Sequence, residues 1–313
     1  MSFWTGKKVV VTGGAGFLGS YVVEELKAKD CKSVFIPRSK DYDLTDERNI
    51  KIMYENAEPD IIIHLAAAVG GIGANERYPG TFFYRNAVMG ILLMELARQY
   101  GVEKFVTIGT TCSYPKHAAI PFKEEDLWNG YPAEVTAPYG LAKKMLIVQS
   151  QAYEKEFGFN SINLIPVNLY GPRDNFNPDT SHVIPALIKR FVDAVREGTK
   201  EVVCWGTGEA SREFIYAKDC AEAIILAAER YNSSEPVNIG TGKEIKIKEL
   251  VNTIAELTGY KGSIEWDASK PDGQPRRCVD TSKARERFGF EAGTDFTEGL
   301  RNTIEWYKEY IGG

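Results

Sequence analysis

Apolar, β-branched runs alternate with amphipathic stretches through the first half of the chain. KVVVTG, SVFIP, DIIIHLA, KFVTIG and NSINLIP are short and almost continuously hydrophobic, which predicts strands buried on both faces. Between them, stretches such as FLGSYVVEELKAK and FYRNAVMGILLMELARQYG carry apolar residues at helical spacing and predict helices. Strand–helix repetition of this kind builds a parallel sheet with helices on both faces, a doubly wound α/β fold. The regularity breaks after Tyr170-Gly171-Pro172, in the Pro/Asn-rich RDNFNPDTSH, and a helix is predicted from about Ile184. FIYAKDCAEAIILAAE returns to the sheet unit, and from about Gly242 short elements mix with turns. This pattern divides the chain into a sheet unit, residues 1–171 and 213–241, and a smaller, discontinuous α/β unit, residues 172–212 and 242–313.

The first strand meets the first helix through VVVTGGAGFLGS, where Gly13, Gly16 and Gly19 recur and Gly14 adds freedom. At this junction the backbone must turn tightly and approach a pyrophosphate, whose charge a helix N-terminus stabilises. Glycines also serve plain turns. Their place at the opening of a repeated strand–helix series makes this a dinucleotide loop, and the first unit a Rossmann domain. The second strand runs into Arg38, Ser39 and Lys40, with no acid before Asp41. An NAD site puts an acid there for the ribose 2′-hydroxyl, whereas a 2′-phosphate needs a cation. Lys40 reads equally as a solvated loop charge, but the planar fork of Arg38 suits two phosphate oxygens. NADP(H) is the expected cofactor.

Composition narrows the partners. The 313 residues are 43% hydrophobic and 26% charged, enough for a sizeable core in one large domain or two intimate ones. A net charge of −5 argues against nonspecific nucleic-acid binding while permitting a local basic pocket. MSFWTGKK lacks the apolar stretch of a signal peptide and no apolar run reaches membrane-spanning length, so a cytoplasmic protein is expected. Cys31, Cys112, Cys204, Cys220 and Cys278 are scattered without a CxxC, and His64, His117 and His182 lack ligand spacing. Neither a disulfide framework nor a metal site is expected.

Tyr139 and Lys143, in PYGLAKK, are four apart and so share a helix face. A lysine there is expected to favour phenolate and bring the phenol into a usable range. A Tyr-x-x-x-Lys pair by itself is a frequent surface accident. This one lies one strand–helix unit after GTTCSYPK, residues 109–116, where two threonines and a cysteine close a strand. Strand ends are where such sheets bind ligands.

Taken together, HLAAAVGGIGAN (64–75), IGTTCSYPK (108–116), PYGLAK (138–143), PVNLYGPRDNFNPDTSHVIPALIKRF (166–191), WGTGEASREF (205–214) and DASKPDGQPRR (267–277) carry a closer resemblance. Within the extended short-chain dehydrogenase/reductases the chain resembles, along essentially its whole length, the GDP-L-fucose synthase family, the GDP-4-keto-6-deoxy-mannose 3,5-epimerase/4-reductases. The resemblance implies that Thr110, Cys112, Tyr139, Lys143 and His182 are catalytic. Thr110 would bond the sugar C4 oxygen beside Tyr139, and Cys112 with His182 would move protons at C3 and C5. It implies a cofactor site of Gly13, Gly14, Ala15, Gly16, Phe17, Leu18, Gly19, Arg38, Asp43, Leu44, Ala66, Ala67, Ala68, Lys143, Pro166, Asn168 and Leu169. Asp43-Leu44 would lie near adenine, and the alanines would let backbone approach the cofactor. For a GDP-sugar it implies Asn168, His182, Arg190, Trp205, Arg212 and Asp272. The family's usual homodimer, joined through the helices containing Asn86–Tyr100 and Tyr139–Glu154, is expected too. The family pattern has two serines where this chain has Thr110 and Thr111; each adds a methyl and a stiffer χ1, narrowing the room near C4.

Plainer readings stand beside these. Cys112 could be a small buried hydrophobe, His182 the cap of the following helix, Trp205 plain core, and Arg212 a surface ion pair. Among functions, the nearest rival is a reductase of another GDP-4-keto-6-deoxy sugar, such as a heptose, with little or no epimerisation. A 4-epimerase has no evident use for Cys112 with His182, and a 4,6-dehydratase needs acids where Thr111 and Cys112 stand. An NADP-binding redox sensor without turnover is the reading from another class.

Overall fold

The computed structural model describes residues 2–178, 180–270 and 272–312. In chain order its elements are β1 (Lys8–Thr12), α1 (Phe17–Lys27), β2 (Ser33–Phe35), α2 (Glu47–Ala57), β3 (Ile61–His64), α3 (Ile72–Arg77), α4 (Pro79–Gln99), β4 (Lys104–Ile108) and α5 (Ala137–Phe157). There follow β5 (Ser161–Pro166), β6 (Asn168–Tyr170), α6 (Val183–Glu197), β7 (Glu201–Trp205), β8 (Ser211–Tyr216), α7 (Ala217–Arg230), β9 (Pro236–Ile239), β10 (Glu244–Lys246), α8 (Ile247–Thr258), β11 (Ser263–Asp267), α9 (Ser282–Phe288) and α10 (Phe296–Gly312).

The five apolar runs are β1 to β5, and with β9 they make a six-stranded parallel sheet in the order β2-β1-β3-β4-β5-β9. Every residue of β3, β4 and β5 is buried, as expected of strands covered on both faces. β1 is the switch point: β2 is added on one side of it and β3 on the other, which leaves a crevice beyond its carboxyl end. α1 and α7 pack together on one face, α4 and α5 on the other.

Two smaller sheets complete the molecule. β8 pairs antiparallel with β10 and parallel with β6, and β11 lies parallel to β7. α6, α8 and α10 enclose a separate apolar cluster that includes Ile188, Phe191, Leu250, Ile254, Leu300 and Ile304. Packing crosses between the two units at two places. Val279, Ala284, Phe288 and Phe290 join the core of the large sheet, and Phe214 packs into the second cluster. Extended backbone at 278–280 bridges to Phe122, which draws that segment away from the second unit. Among the described residues no helix is long and apolar enough to cross a membrane.

Candidate active site

The loop between β1 and α1 is shaped by what a side chain would strike. Gly13 has φ +71°, and a Cβ there would lie 2.8 Å from the Ala66 nitrogen. One at Gly19 would sit 2.6 Å from the Gly14 Cα, so only glycine lets helix and loop close together. α1 starts from Gly16 without a side-chain cap or an acid in its first turn, and Ala15 and Gly16 are exposed. Its amide ends therefore face the crevice free of competing anions, a cradle suited to a pyrophosphate. Phe17 and Leu18 anchor the turn on the core. Across the crevice, the loop after β3 carries Ala66, Ala67 and Ala68; Asn86 clamps it by exchanging hydrogen bonds with both backbone groups of Ala68.

Just past β2, which neighbours β1, Arg38 is exposed and makes no ion pair among the described residues. Asp43 is exposed, but one carboxylate oxygen already accepts the Thr45 amide and hydroxyl at 2.9 and 2.7 Å. Leu44 turns its side chain into the core with Ile50 and Met53, leaving only its backbone to face a ligand. Pro166 closes β5 and is buried, while Asn168 and Leu169 in β6 are half-buried.

At the end of β4 the chain makes a short 3₁₀ turn, Thr111–Ser113, capped by the Thr110 side chain, which accepts the Cys112 amide at 3.2 Å. The three consecutive residues go different ways. Thr110 and Cys112 are half-buried and Thr111 is buried beneath them. α5 presses onto this turn at Gly140, where a Cβ would lie 2.7 Å from the Cys112 carbonyl carbon, and the Ser113 hydroxyl donates to the Gly140 carbonyl at 2.9 Å. Tyr139, the preceding residue, is thereby brought beside both Thr110 and Cys112. Burial pushes its phenol above the usual value; the Cys112 sulfur adds to this and a hydrogen bond with Thr110 opposes it. The net lowering expected for Tyr139 is not seen, because desolvation outweighs what favours the phenolate. Lys143 is 3% exposed, and burial lowers its ammonium to about 8. Its ammonium makes no hydrogen bond among the described residues.

His182 stands at the N-terminus of α6 with its side chain making no cap, so the capping reading fails. Surrounding protein pushes its imidazole below the ordinary value. The loop before it meets the loop after β3, since a Cβ at Gly71 would lie 3.2 Å from the Ser181 carbonyl oxygen. On the second unit Trp205 is 67% exposed with Lys270 over its ring at 5.6 Å, an open stacking face rather than core. Arg190 donates to the Val203 carbonyl at 2.8 Å. Arg212 is in no ion pair among the described residues; it binds the carbonyls of Ser211, Gln274 and Asp272, and burial followed by the charge of Arg277 lowers it to about 10. Asp272 is not free to receive a ligand as expected: its two oxygens accept the Thr207 amide and hydroxyl at 2.7 and 2.6 Å and lock the turn after β7.

The chain matches the NAD dependent epimerase/dehydratase family over residues 9–240. It is 39% identical over 308 residues to a probable GDP-L-fucose synthase 1 of Oryza sativa subsp. japonica, covering 98% of this chain and 93% of that protein. With GDP-L-fucose synthase 1 of Arabidopsis thaliana it shares 37% over 97% and 94% of the two chains. The chain belongs to the GDP-L-fucose synthase group of that family. Among solved structures, a Naegleria fowleri GDP-L-fucose synthetase bound to NADP matches with a TM-score of 0.89 at 29% identity, over 100% of this chain and 97% of that one. A GDP-6-OMe-4-keto-L-xylo-heptose reductase from C. jejuni matches with 0.93 at 25%, over 99% and 100%.

Two residues outside the expected set, Glu213 and Arg277, make contacts with these elements. The buried Glu213 carboxylate accepts the amides of Thr241, Gly242 and Val279 at 2.6, 2.7 and 2.8 Å, and its carbonyl accepts from Asn168 at 3.0 Å. It knits β6, β8 and the 278–280 segment together beneath Thr111. Arg277, half-buried, directs Nη1 to Cys112 Sγ at 3.7 Å. Both lie in motifs visible in the sequence, SREF and QPRR, but nothing there distinguishes Arg277 from Arg276, which pairs with Glu244 instead.

Proposed function

We propose that this chain converts GDP-4-keto-6-deoxy-D-mannose to GDP-L-fucose, inverting C3 and C5 and then reducing C4 with NADPH. The observation that carries this reading is the clasp of α5 on the Thr110–Cys112 turn, which sets a thiol beside a hydroxyl–phenol pair. A reductase alone has no use for that thiol. The glycine cradle, the uncapped start of α1 and unpaired Arg38 fit NADP(H), with Lys143 available for its ribose. When bound, NADPH supplies the hydride for C4.

The 4-keto group acidifies the C–H bonds on either side of it. Of Cys112 and His182, one removes the proton from carbon, the C–H electron pair moves into an enolate, and the other returns a proton on the opposite face. Thr110 and Tyr139 face the C4 oxygen and stabilise the negative charge it carries. Because burial keeps Tyr139 protonated, it is a donor at neutral pH and passes its proton to that oxygen during reduction. Lys143, still mostly charged below about pH 8, offsets the phenolate left behind. Trp205 offers the nucleotide a stacking face, while Asn168, Arg190, Arg212 and Asp272 frame the diphosphate end, Arg212 and Asp272 mainly by fixing backbone.

One observation favours the second reading, a reductase of another GDP-keto sugar: the C. jejuni heptose reductase matches this chain with a TM-score of 0.93. Cys112→Ser and His182→Asn decide between them. On the first reading both suppress deuterium entry at C3 and C5 in D₂O while C4 reduction stays measurable; on the second, the wild type itself shows no exchange. The same reading takes the two units as a cofactor domain and a sugar-nucleotide domain. It includes a homodimer across α4 and α5, where Phe83, Tyr84, Met145 and Val148 are exposed, a state that light scattering reads directly. Five unpaired thiols fit a cytoplasmic location.

A further inference from the structure

Two arginines in succession leave the second unit in opposite directions. Arg276 is exposed and ion-paired with Glu244, whereas Arg277 is half-buried and turns toward Cys112. Its backbone is held from several sides: Ser211 donates to the Pro275 carbonyl, Phe122 to the Cys278 carbonyl, and Val279 to the Glu213 carboxylate, at 2.9, 2.8 and 2.8 Å. Its side chain is held as well. Arg277 Nε donates to Gln274 Oε1 at 2.5 Å, and Gln274 Nε2 in turn donates to the Lys116 carbonyl at 2.9 Å, four residues beyond Cys112. No carboxylate pairs with Arg277 among the described residues, so its charge is not cancelled on the spot.

We propose that Arg277 is a positioning residue for epimerisation, a cationic donor that holds the Cys112 sulfur in place and stabilises negative charge on it. The inference rests on the epimerase reading above. A guanidinium N–H 3.7 Å from the sulfur donates to it and offsets negative charge there while a proton is exchanged with carbon. In that step the sulfur gains the proton as S–H and the C–H pair enters the enolate, so the anion moves from sulfur to the C4 oxygen and nothing is oxidised or reduced. Gln274 aims the donor. Because the Gln274 carbonyl also binds Arg212 at 2.7 Å, the segment that braces the nucleotide end also sets the thiol at the sugar end.

The test uses the full chain as Arg277→Gln, Arg277→Lys and Gln274→Ala, with GDP-4-keto-6-deoxy-D-mannose and NADPH. Three readouts are taken: deuterium entry at C3 and C5, NADPH oxidation, and iodoacetamide labelling of Cys112 without substrate, located by mass spectrometry. Losing a charge-assisted donor predicts that Arg277→Gln slows exchange relative to hydride transfer by roughly ten- to hundredfold and slows labelling in parallel. Arg277→Lys restores part of both, and Gln274→Ala shows a weaker loss of the same kind. A raised KM with the exchange-to-hydride ratio unchanged would make Arg277 a substrate ligand and overturn the proposal. So would labelling at the wild-type rate, or an equal fall in exchange and hydride transfer. If the wild type exchanges no deuterium, the epimerase reading falls, and labelling still decides whether Arg277 acts on the thiol.

Discussion

Gly140→Ala tests whether the placement of the Thr110–Cys112 turn, rather than the mere presence of its groups, sets the rate. The added Cβ would fall on the Cys112 carbonyl, 2.7 Å from its carbon, whereas ordinary van der Waals contact begins near 3.4 Å. Helix and turn must therefore separate by at least about 0.7 Å, since the carbonyl oxygen lies nearer still. The obstacle is backbone, so no rotamer relieves it. A displacement approaching 1 Å at a reacting group costs about a hundredfold, which predicts a fall in both exchange and reduction of roughly ten- to hundredfold. Stability changes less: overpacking costs about 1–3 kcal/mol, and the better helix propensity of alanine returns up to ~1. The assay pairs NADPH oxidation and deuterium entry with thermal unfolding. Gly80→Ala is the control, because a Cβ at Gly80 in α4 meets nothing within 4 Å. Wild-type rates in Gly140→Ala would refute the argument, as would loss of rate only in proportion to loss of folded protein.

The remaining predictions concern single groups. Tyr139→Phe keeps NADPH binding but loses reduction by roughly two to four orders of magnitude, measured in single turnover; near-native turnover removes it from proton transfer. Arg38→Ala raises the KM for NADPH far more than that for NADH, and equal effects mean that it does not read a 2′-phosphate. Asp174 lies outside the chemistry: one of its carboxylate oxygens is buried without a hydrogen-bond partner among the described residues, and burial raises it from 3.8 to about 7. Between about pH 4 and 7 the folded protein holds a proton that the unfolded chain has released, so this group's effect is that stability falls as pH rises. At ~1.4 kcal/mol per tenfold, the penalty above pH 7 is on the order of 4 kcal/mol. Asp174→Asn removes it, so urea unfolding should show an advantage that grows from about pH 4 to 7. A constant difference across that range means that the carboxylate does not titrate this way.

What the sequence determined by itself is local or repeated. Buried strands announce themselves as apolar runs, so β1 to β5 were legible, and the glycine loop was legible because it must stand between a strand and a helix. Tyr139 and Lys143 were legible because helical spacing alone sets them on one face. β9 was not among the strands read: it has four residues, begins with proline and contains Asn238, whose polar side chain is satisfied by Tyr114 and Phe122 from far along the chain. Tertiary structure alone decided which neighbouring residue faces the site. It separated Thr110 from buried Thr111 and Arg277 from Arg276, tied up Asp272 and turned Leu44 into the core. It also reversed the expected direction for Tyr139, because a phenol's ionisation depends on how much water the folded chain excludes, and sequence spacing carries no measure of that.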